Sequence, residues 1–263
     1  MRRPGSALIP VLLGLSLLAQ AEPVQLNSLE WPPYSGSLAG QGFLSSLLRE
    51  ALARENYQLT VKIYPWKRAT SLAMQGEEGA LGFFSASPIE CAAARGQLSD
   101  PIGSYQLTLA QRSDALTIWR EASEFHGKRI GVVEGYDNGK QIDALIYAGK
   151  VQADYSSSDV QNLNKLAAGR LAAAVVDKRV FSYYQHKLGL DQLLVGPANL
   201  TRRLPLHVCF NQSPSAERLR QALNRQLSGL DLEQYAERYL AHLAKASKSS
   251  NTTPKPDTAG LAK

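Results

Sequence analysis

The sequence predicts an α/β protein made of two similar units, each a mostly parallel sheet flanked by helices. Strand-like and helix-like segments alternate from residue 24 to residue 87, and the same alternation restarts at residue 128. Such alternation is typical of βαβ units. Polar and aromatic loops follow the strands, at the edge where parallel sheets bind ligands. Two units of this size form either one oversized domain or two lobes with a cleft between them.

The first unit reads strand, helix, strand, helix, strand. Residues 24–29 form a strand that ends at two consecutive prolines, which cannot continue a ladder. Residues 42–56 carry apolar residues at helical spacing. The segments "YQLTVKIYP", "WKRATSLAMQGE" and "GALGFFSAS" then predict a strand, an amphipathic helix and a strand. The loops at the strand ends are "EWPPY", "PWKR" and "SASPIE".

The second unit repeats this logic. Strands are predicted at "KRIGVVEG", "VQADYS" and "LAAAVVD", and helices at "NGKQIDALIYAG", "SDVQNLNKLAAGR" and "KRVFSYYQHKLG". A further strand, "LPLHVCFNQS", is followed by two closing helices, the first of which has a clear apolar stripe.

Neither end of the chain is expected to belong to the fold. Residues 1–21 have two arginines, an apolar run and an Ala-Gln-Ala site, which predicts a cleaved secretory signal peptide. An uncleaved N-terminal anchor is the alternative, although the apolar run is too short for a stable membrane span. Residues 246–263 are polar and rich in Pro, Ser and Thr, and are predicted to be a disordered tail.

Composition excludes several classes of function. The net charge of +6 is mild, and basic blocks interleaved with aromatic residues are missing, so we expect no nucleic-acid partner. No Cys or His cluster has metal-ligand spacing, so neither a metal nor another cofactor is expected. Cys91 and Cys209 are the only two cysteines. We expect two unrelated small apolar residues, with one disulfide in an exported chain as the alternative.

The ordered segments resemble the extracellular solute-binding proteins of family 3, the polar-amino-acid type that serves ABC importers. The resemblance runs over about 220 residues and rests on "LEWPPYSG", "YPWKRATSLAMQGEEGALGFFSAS", "LSDPIGSY", "GKRIGVVEGY" and "LAAGRLAAAVVDKRVFSYY", in that order. It implies the type II periplasmic-binding-protein fold, a periplasmic location, a monomer, and a closed form that an ABC permease recognises.

The resemblance also implies the domain organisation. Lobe 1 would comprise residues 22–109 and 206–245, and lobe 2 residues 110–205. The crossovers would be "YQLTLAQR" and "RRLPLHVCF". A ligand would bind between the lobes and close them by a hinge motion.

The candidate ligand contacts in lobe 1 are residues at positions that match ligand-binding positions of the family. Trp31 and Tyr34 lie in the first ligand loop, and Trp66 matches a ring that stacks on ligand. Glu30 matches an acid that faces the ligand amine, and Arg68 has the charge to reach an anionic group. Each has an ordinary alternative: Trp66 as a packing residue, Glu30 as a strand-end charge and Arg68 as a solvated arginine.

The carboxylate side of the expected site is altered. Ser85 and Ser87 match the turn that holds a ligand carboxylate, but the arginine expected about three residues later is replaced by Glu90 and Cys91. Arg95 follows, at a position that favours a surface role. Because a bidentate arginine clamp is missing, a ligand with a cationic group fits the sequence better than a standard amino acid.

In lobe 2, the candidates lie at two strand-to-helix junctions. Tyr136, Asp137 and Asn138 occupy the turn that would face the ligand carboxylate, with helix capping as the alternative for the last two. Asp177 ends a strand and matches the acid that holds the ligand ammonium; its alternative is a plain helix N-cap.

Three functions remain open from the sequence. The first is a solute-binding protein for an ABC importer, and the second is a periplasmic sensor or orphan binding protein. The third is an enzyme on the same fold, of the dehydratase or lyase kind. No nucleophile motif or selected acid–base pair is present, so catalytic residues are not expected.

Overall fold

A computed structural model describes residues 20–115, 122–199 and 201–250 of the chain. The chain first forms β1 (Glu22–Ser28), α1 (Phe43–Ala53), β2 (Tyr57–Ile63), α2 (Trp66–Gln75), β3 (Ala80–Ala86), α3 (Pro88–Ala93), β4 (Gln97–Leu98) and β5 (Gly103–Tyr105). It then forms β6 (Leu107–Arg112), β7 (Arg129–Val133), α4 (Lys140–Tyr147), β8 (Gln152–Ser156), α5 (Asp159–Ala167), β9 (Ala173–Asp177), α6 (Lys178–Leu188) and β10 (Leu193–Asn199). It ends with β11 (Leu204–Phe210), α7 (Pro214–Leu227) and α8 (Leu232–Ser250). Short 3₁₀ turns lie at Ala39–Gln41, Glu77–Gly79 and Ala122–Phe125.

The strands form two separate sheets. The first has the order β2-β1-β3-β11-β4, with β5 also paired to β11, and the second has the order β10-β6-β9-β7-β8. The βαβ strands pair in parallel, β1 with β2 and β3, and β7 with β8 and β9. β11 and β6 run antiparallel to their neighbours, so both sheets are mixed. The strands that enter from the crossovers therefore add the antiparallel pairs.

The chain passes between the sheets at Gln106 and in the segment before β11. β5 still pairs with β11 in the first sheet, whereas β6, one residue later, pairs with β9 and β10 in the second. A hydrogen bond joins the two crossing segments: the Leu107 N–H donates to the Thr201 hydroxyl at 3.0 Å. This arrangement is a two-strand crossover, the geometry about which hinge motions occur.

The helices bury their apolar faces against the sheets. In α1 the residues that are buried recur at helical spacing, and Tyr34 and Phe83 are among the fully buried large side chains. None of the described helices is long and apolar enough to cross a membrane.

Two expectations are corrected by the structure. Cys91 and Cys209 are not independent core residues: they form a disulfide with a Cα–Cα distance of 5.5 Å. Their separation of 118 residues hid the pairing, which arises because α3 packs on β11. Gly96 permits this approach, since a Cβ there would lie 2.3 Å from Cys209 Sγ.

The second correction concerns the C-terminal end. A tail without structure was expected over 246–263, but α8 continues to Ser250. An established helix extends by one hydrogen bond per residue without a new nucleus, and Ala246 and Lys248 are good helix formers. The rest of the predicted tail and residues 1–19 of the predicted signal peptide lie outside the described residues.

The disulfide should contribute strongly to stability, because it closes a long loop between α3 and β11. Replacing both cysteines by alanine is expected to lower the free energy of unfolding by about 2–5 kcal/mol. Urea denaturation of the variant, compared with the unreduced and reduced natural protein, measures this. Two thiols that titrate in the unreduced, unfolded protein would contradict the pairing.

Candidate functional site

A cleft between the lobes contains three adjoining spaces, each of which shares lining residues with the next. The deep chamber, of about 10 Å³, lies between Trp31, Asp159 and Asp177. The inner chamber, of about 30 Å³, shares Trp31, Leu107, Tyr136 and Asp137 with it. The outer chamber, of about 590 Å³, shares Trp66, Glu90, Tyr136 and Asp137 with the inner one. The three spaces therefore follow one another along the cleft, from the side of the hinge to its mouth.

The first ligand loop, after β1, contributes an aromatic wall. Trp31 stacks on Tyr34 with ring centroids 4.2 Å apart, and its edge meets Tyr105 at 6.3 Å. Trp31 lines both the deep and the inner chamber, whereas Tyr34 is fully buried behind it. The Tyr34 hydroxyl lies 3.1 Å from Asp177 Oδ1 in the other lobe and 3.2 Å from the Ser104 carbonyl. Tyr34 thus positions Trp31 and joins the lobes.

Trp66 begins α2 and forms the wall between the inner and outer chambers. Its ring meets Tyr136 of lobe 2 edge-on at 6.2 Å, and its Nε1 donates to Glu90 Oε1 at 3.1 Å. The expected ring at this position therefore lines the cleft, and its N–H is directed at the acid that replaces the expected arginine.

Glu90 points into the cleft from the first turn of α3. Ser87 caps this helix: its Oγ accepts from the Glu90 N–H at 3.2 Å, and the Ser87 N–H donates to Glu90 Oε2 at 2.7 Å. Burial raises the pKa of Glu90 to about 7, and the nearby charge of Asp137 also raises it. Ser85 lines the inner chamber from a backbone with φ of 74°. Ser87 serves the cap.

The side chains of the lobe 2 turn partly stabilise the turn itself, through local hydrogen bonds. Asp137 Oδ1 accepts from the Gly139 N–H at 2.9 Å, and the Asn138 amide donates to Asp143 Oδ1 at 2.9 Å. Asp137 nevertheless lines all three chambers, as does Tyr136, and Asn138 lines the deep one. The structure therefore brings all three predicted residues to the cleft.

Asp177 is the N-cap of α6 and is saturated by internal donors. Its Oδ1 accepts from the N–H groups of Arg179 at 2.8 Å and Val180 at 3.1 Å, in addition to the Tyr34 hydroxyl. Its Oδ2 accepts from the N–H of Gln106, at the hinge, at 2.8 Å. Burial raises the pKa of Asp177, while these donors lower it. The carboxylate thus lines the deep chamber but is held by the protein itself.

Four predicted residues line none of the three chambers: Tyr34 and Ser87, described above, and Glu30 and Arg68. Glu30 accepts from the Ser37 N–H at 2.9 Å and from the Ser37 hydroxyl at 2.8 Å, so it stabilises its own loop. Arg68 packs over the ring of Tyr64, with its Cζ 5.1 Å from the ring centroid. Neither is among the residues that line the three chambers.

Sequence reasoning missed several lining residues. Asp159, the first residue of α5, lines the deep chamber and is 3 % exposed. Burial raises its pKa to about 7, and the charge of Asp177 adds to this shift. The inner chamber is also lined by Leu29, Tyr105, Leu107 and Leu206. The only available signal was the position of these residues, at strand ends and on the crossovers.

The cleft is acidic. Among the described residues that line the deep and inner chambers there is no Lys, Arg or His, whereas Glu90, Asp137, Asp159 and Asp177 all line them. Lys67 and Lys140 line only the outer chamber, and Lys67 pairs with Glu134 across the mouth at 2.8 Å. No group of His, Cys, Asp and Glu in the described parts of the chain has the geometry to hold a metal ion. The acidic lining of the deep and inner chambers therefore suits a cationic group.

Solved structures share this architecture. A mutant of the arginine-binding protein ArgBP from T. maritima superposes with a TM-score of 0.70 at 14% identity, covering 83% of this chain and 95% of that one. The GluR0 ligand-binding core from Nostoc punctiforme, in complex with L-glutamate, gives 0.66 at 16% identity, over 82% and 98%. The chain has the bilobal solute-binding fold. A histidine kinase sensor domain, described as similar to periplasmic binding proteins, shares it with 0.69 at 17% identity, over 86% and 96%.

These low identities establish the solute-binding fold and nothing finer. No protein-family model and no curated protein matches the sequence. The fold agrees with the one that the resemblance implied.

The buried carboxyls should make stability depend on pH. Glu90 and Asp159 have pKa values of about 7 in the folded state, against ordinary values of 4.5 and 3.8. Between about pH 4 and pH 7 the folded state retains protons that the unfolded state loses, so the free energy of unfolding should fall by a few kcal/mol as pH rises. Urea denaturation at pH 5 and pH 8 measures this fall.

Two variants distinguish the contribution of a cleft carboxyl to this pH dependence from that of a carboxyl outside the cleft. Glu90→Gln should make the fall shallower. Glu217→Gln should leave it unchanged between pH 5 and pH 8, because Glu217 is paired with Arg220 on α7, outside the cleft, and this partner lowers its pKa. Stability that rises between pH 5 and pH 8 would contradict buried carboxyls of raised pKa.

Proposed function

We propose that this protein is a periplasmic solute-binding protein that captures a small polar solute, an amino-acid-like or otherwise cationic compound. It acts as a monomer, closes its lobes on the solute and presents the closed form to the permease of an ABC importer. Four carboxyls that line the deep and inner chambers, of which Asp159 and Asp177 are buried, carry this proposal together with the aromatic wall. No basic side chain is among the described residues of these two chambers.

The cation preference follows from the cost of burying charge. A carboxylate in a low-dielectric site is expensive unless a partner is present, and Glu90 and Asp159 have no cationic partner among the described residues. A bound cation supplies that partner, and the aromatic rings of Trp31 and Trp66, which line the chambers, attract positive charge. Among the solved structures that share this fold, an ancestral arginine-binding protein is bound to arginine and the GluR0 ligand-binding core is bound to L-glutamate. This type of cleft therefore accommodates solutes of this size.

Transport fits the hinge. Ligand contacts on both lobes favour the closed state, and the change in shape is what a partner can recognise. The Lys67–Glu134 pair at the mouth is exposed on both sides, so it adds little to closure by itself.

We further propose that the protein is not an enzyme, because Glu90 is held by Trp66 and Ser87, and Asp177 by internal donors. Unchanged ligand recovered after incubation, checked by mass spectrometry, tests this.

A sensor is the second candidate. The observation that favours it is the histidine kinase sensor domain that shares this fold over 86% of the chain. Deleting the gene distinguishes the two: a transport protein is required for uptake of its labelled solute, whereas a sensor is required only for the response to it.

Binding should strengthen as pH rises. Organic cations are expected to raise the melting temperature, since they bind only the folded state, and to bind several-fold more tightly at pH 8 than at pH 6, because Glu90 and Asp159 ionise near pH 7. A thermal-shift screen of amines, guanidines, amino acids and small peptides at both values measures this. Glu90→Gln should reduce the pH dependence, while Glu78→Gln, on a surface pair with Lys62, should not.

Export should remove the leader. The protein recovered from the periplasm is expected to begin at Glu22, which is also where β1 starts. N-terminal sequencing measures this, with whole-cell protein as the control. A chain that keeps residues 1–21 and stays with the membrane fraction would instead indicate an uncleaved anchor.

A further inference from the structure

Four buried polar atoms in the cleft have no hydrogen-bond partner within the described structure. They are Trp31 Nε1, Asp159 Oδ2, the Ser85 hydroxyl and the Tyr105 hydroxyl. The four side chains are at most 7 % exposed, and each lines the deep or the inner chamber. Buried polar atoms are almost always paired, so this concentration in one cleft marks a site that a ligand completes.

The chemistry of these atoms restricts the ligand. Asp159 Oδ2 only accepts when ionised, Trp31 Nε1 only donates, and the hydroxyls of Ser85 and Tyr105 can do either. A ligand that satisfies them must carry a donor for the carboxylate and, close to it, an acceptor for the indole N–H. Asp177 does not compete for the donor, because four protein donors already bind it.

The sizes of the chambers order these groups along the cleft. The deep and inner chambers, of about 10 and 30 Å³, are of the size of single polar groups, whereas the outer chamber has about 590 Å³. A primary ammonium matches the deep chamber, where Asp159 lies. Any larger part of the ligand must extend through the inner chamber towards the mouth.

We infer, on the basis of the proposed function, that the ligand is an extended molecule whose primary ammonium binds Asp159 and whose adjacent neutral oxygen accepts from Trp31. The remainder passes Ser85 and Tyr105 and lies in the outer chamber. This is the chemistry of the N-terminal end of a short peptide, and an amino acid amide is its smallest form.

A free α-amino acid fits the same spaces poorly. Its carboxylate would lie in the inner chamber, beside Glu90 and Asp137, with no Lys, Arg or His among the described residues that line that space. A peptide carbonyl is neutral there, and the peptide N–H that follows can donate to one of these carboxyls. The distal carboxylate of a short peptide reaches the outer chamber, which Lys67 and Lys140 line.

Three glycine-based probes test the inference on the purified protein. Calorimetry at pH 7.5 should show that glycinamide and triglycine bind, with triglycine the tighter, and that glycine binds at least tenfold more weakly than glycinamide. Ethylammonium, which keeps the cation but lacks the oxygen, should also bind more weakly than glycinamide. Equal binding of glycine and glycinamide would overturn the inference.

Substitutions locate the two ends of the ligand. Asp159→Asn should weaken glycinamide and triglycine alike, by tenfold or more. Ala93→Trp, in the outer chamber on α3, should weaken triglycine but leave glycinamide unchanged. Ala92→Trp is the matched control, because Ala92 is exposed on the same helix and does not line the chamber. If Asp159→Asn does not fold, the comparison of the probes on the natural protein and on Ala93→Trp still tests the inference.

The outcomes separate this inference from the proposed function. Tight binding of a free amino acid or a compact cation, unaffected by Ala93→Trp and with no advantage for glycinamide, overturns the inference and leaves a solute-binding protein. Failure of every amine, amino acid and peptide to bind overturns both.

Discussion

The hydrogen bonds of the Asp177 carboxylate are the interactions on which the arrangement of the cleft depends. It caps α6 in lobe 2, accepts from Gln106 where the chain crosses between the sheets, and meets the Tyr34 hydroxyl of lobe 1. One buried charge thereby fixes a helix, the hinge and the first ligand loop relative to one another. Trp31 owes its place in the cleft to this, because it stacks on Tyr34.

The disulfide has a similar role on the other wall. Cys91 follows Glu90 directly, and its bond to Cys209 attaches α3 to β11, the strand that returns from the hinge. The capping box of Ser87 and Glu90 then directs the Glu90 carboxyl towards Trp66. Acidic side chains are thus held in a desolvated cleft by covalent and helical constraints, and the unfavourable burial of their charge is what a cation relieves.

Most of the predicted site residues line the cleft, because local patterns place them at strand ends. Trp31, Trp66, Ser85, Tyr136, Asp137, Asn138 and Asp177 were all predicted, and all line the chambers. Strand-end position was enough to find them, since strand ends of one sheet meet at one edge. Glu30 and Arg68 were predicted by the same reasoning but engage Ser37 and Tyr64. Position along a strand places a residue at the edge, while the partners its side chain finds locally decide where it points.

The sequence by itself determined the alternation of strands and helices, and hence the two βαβαβ units and the sheet edges at which a ligand binds, because hydrophobic periodicity and turn residues act locally. It also revealed that Glu90 and Cys91 replace an expected arginine. Only the tertiary structure decided that the cysteines pair, that Asp177 is saturated, and that Asp159 and Tyr105 line the cleft. Each of these depends on contacts between residues far apart in the chain, such as the 118 positions between the cysteines, and such contacts leave no local pattern.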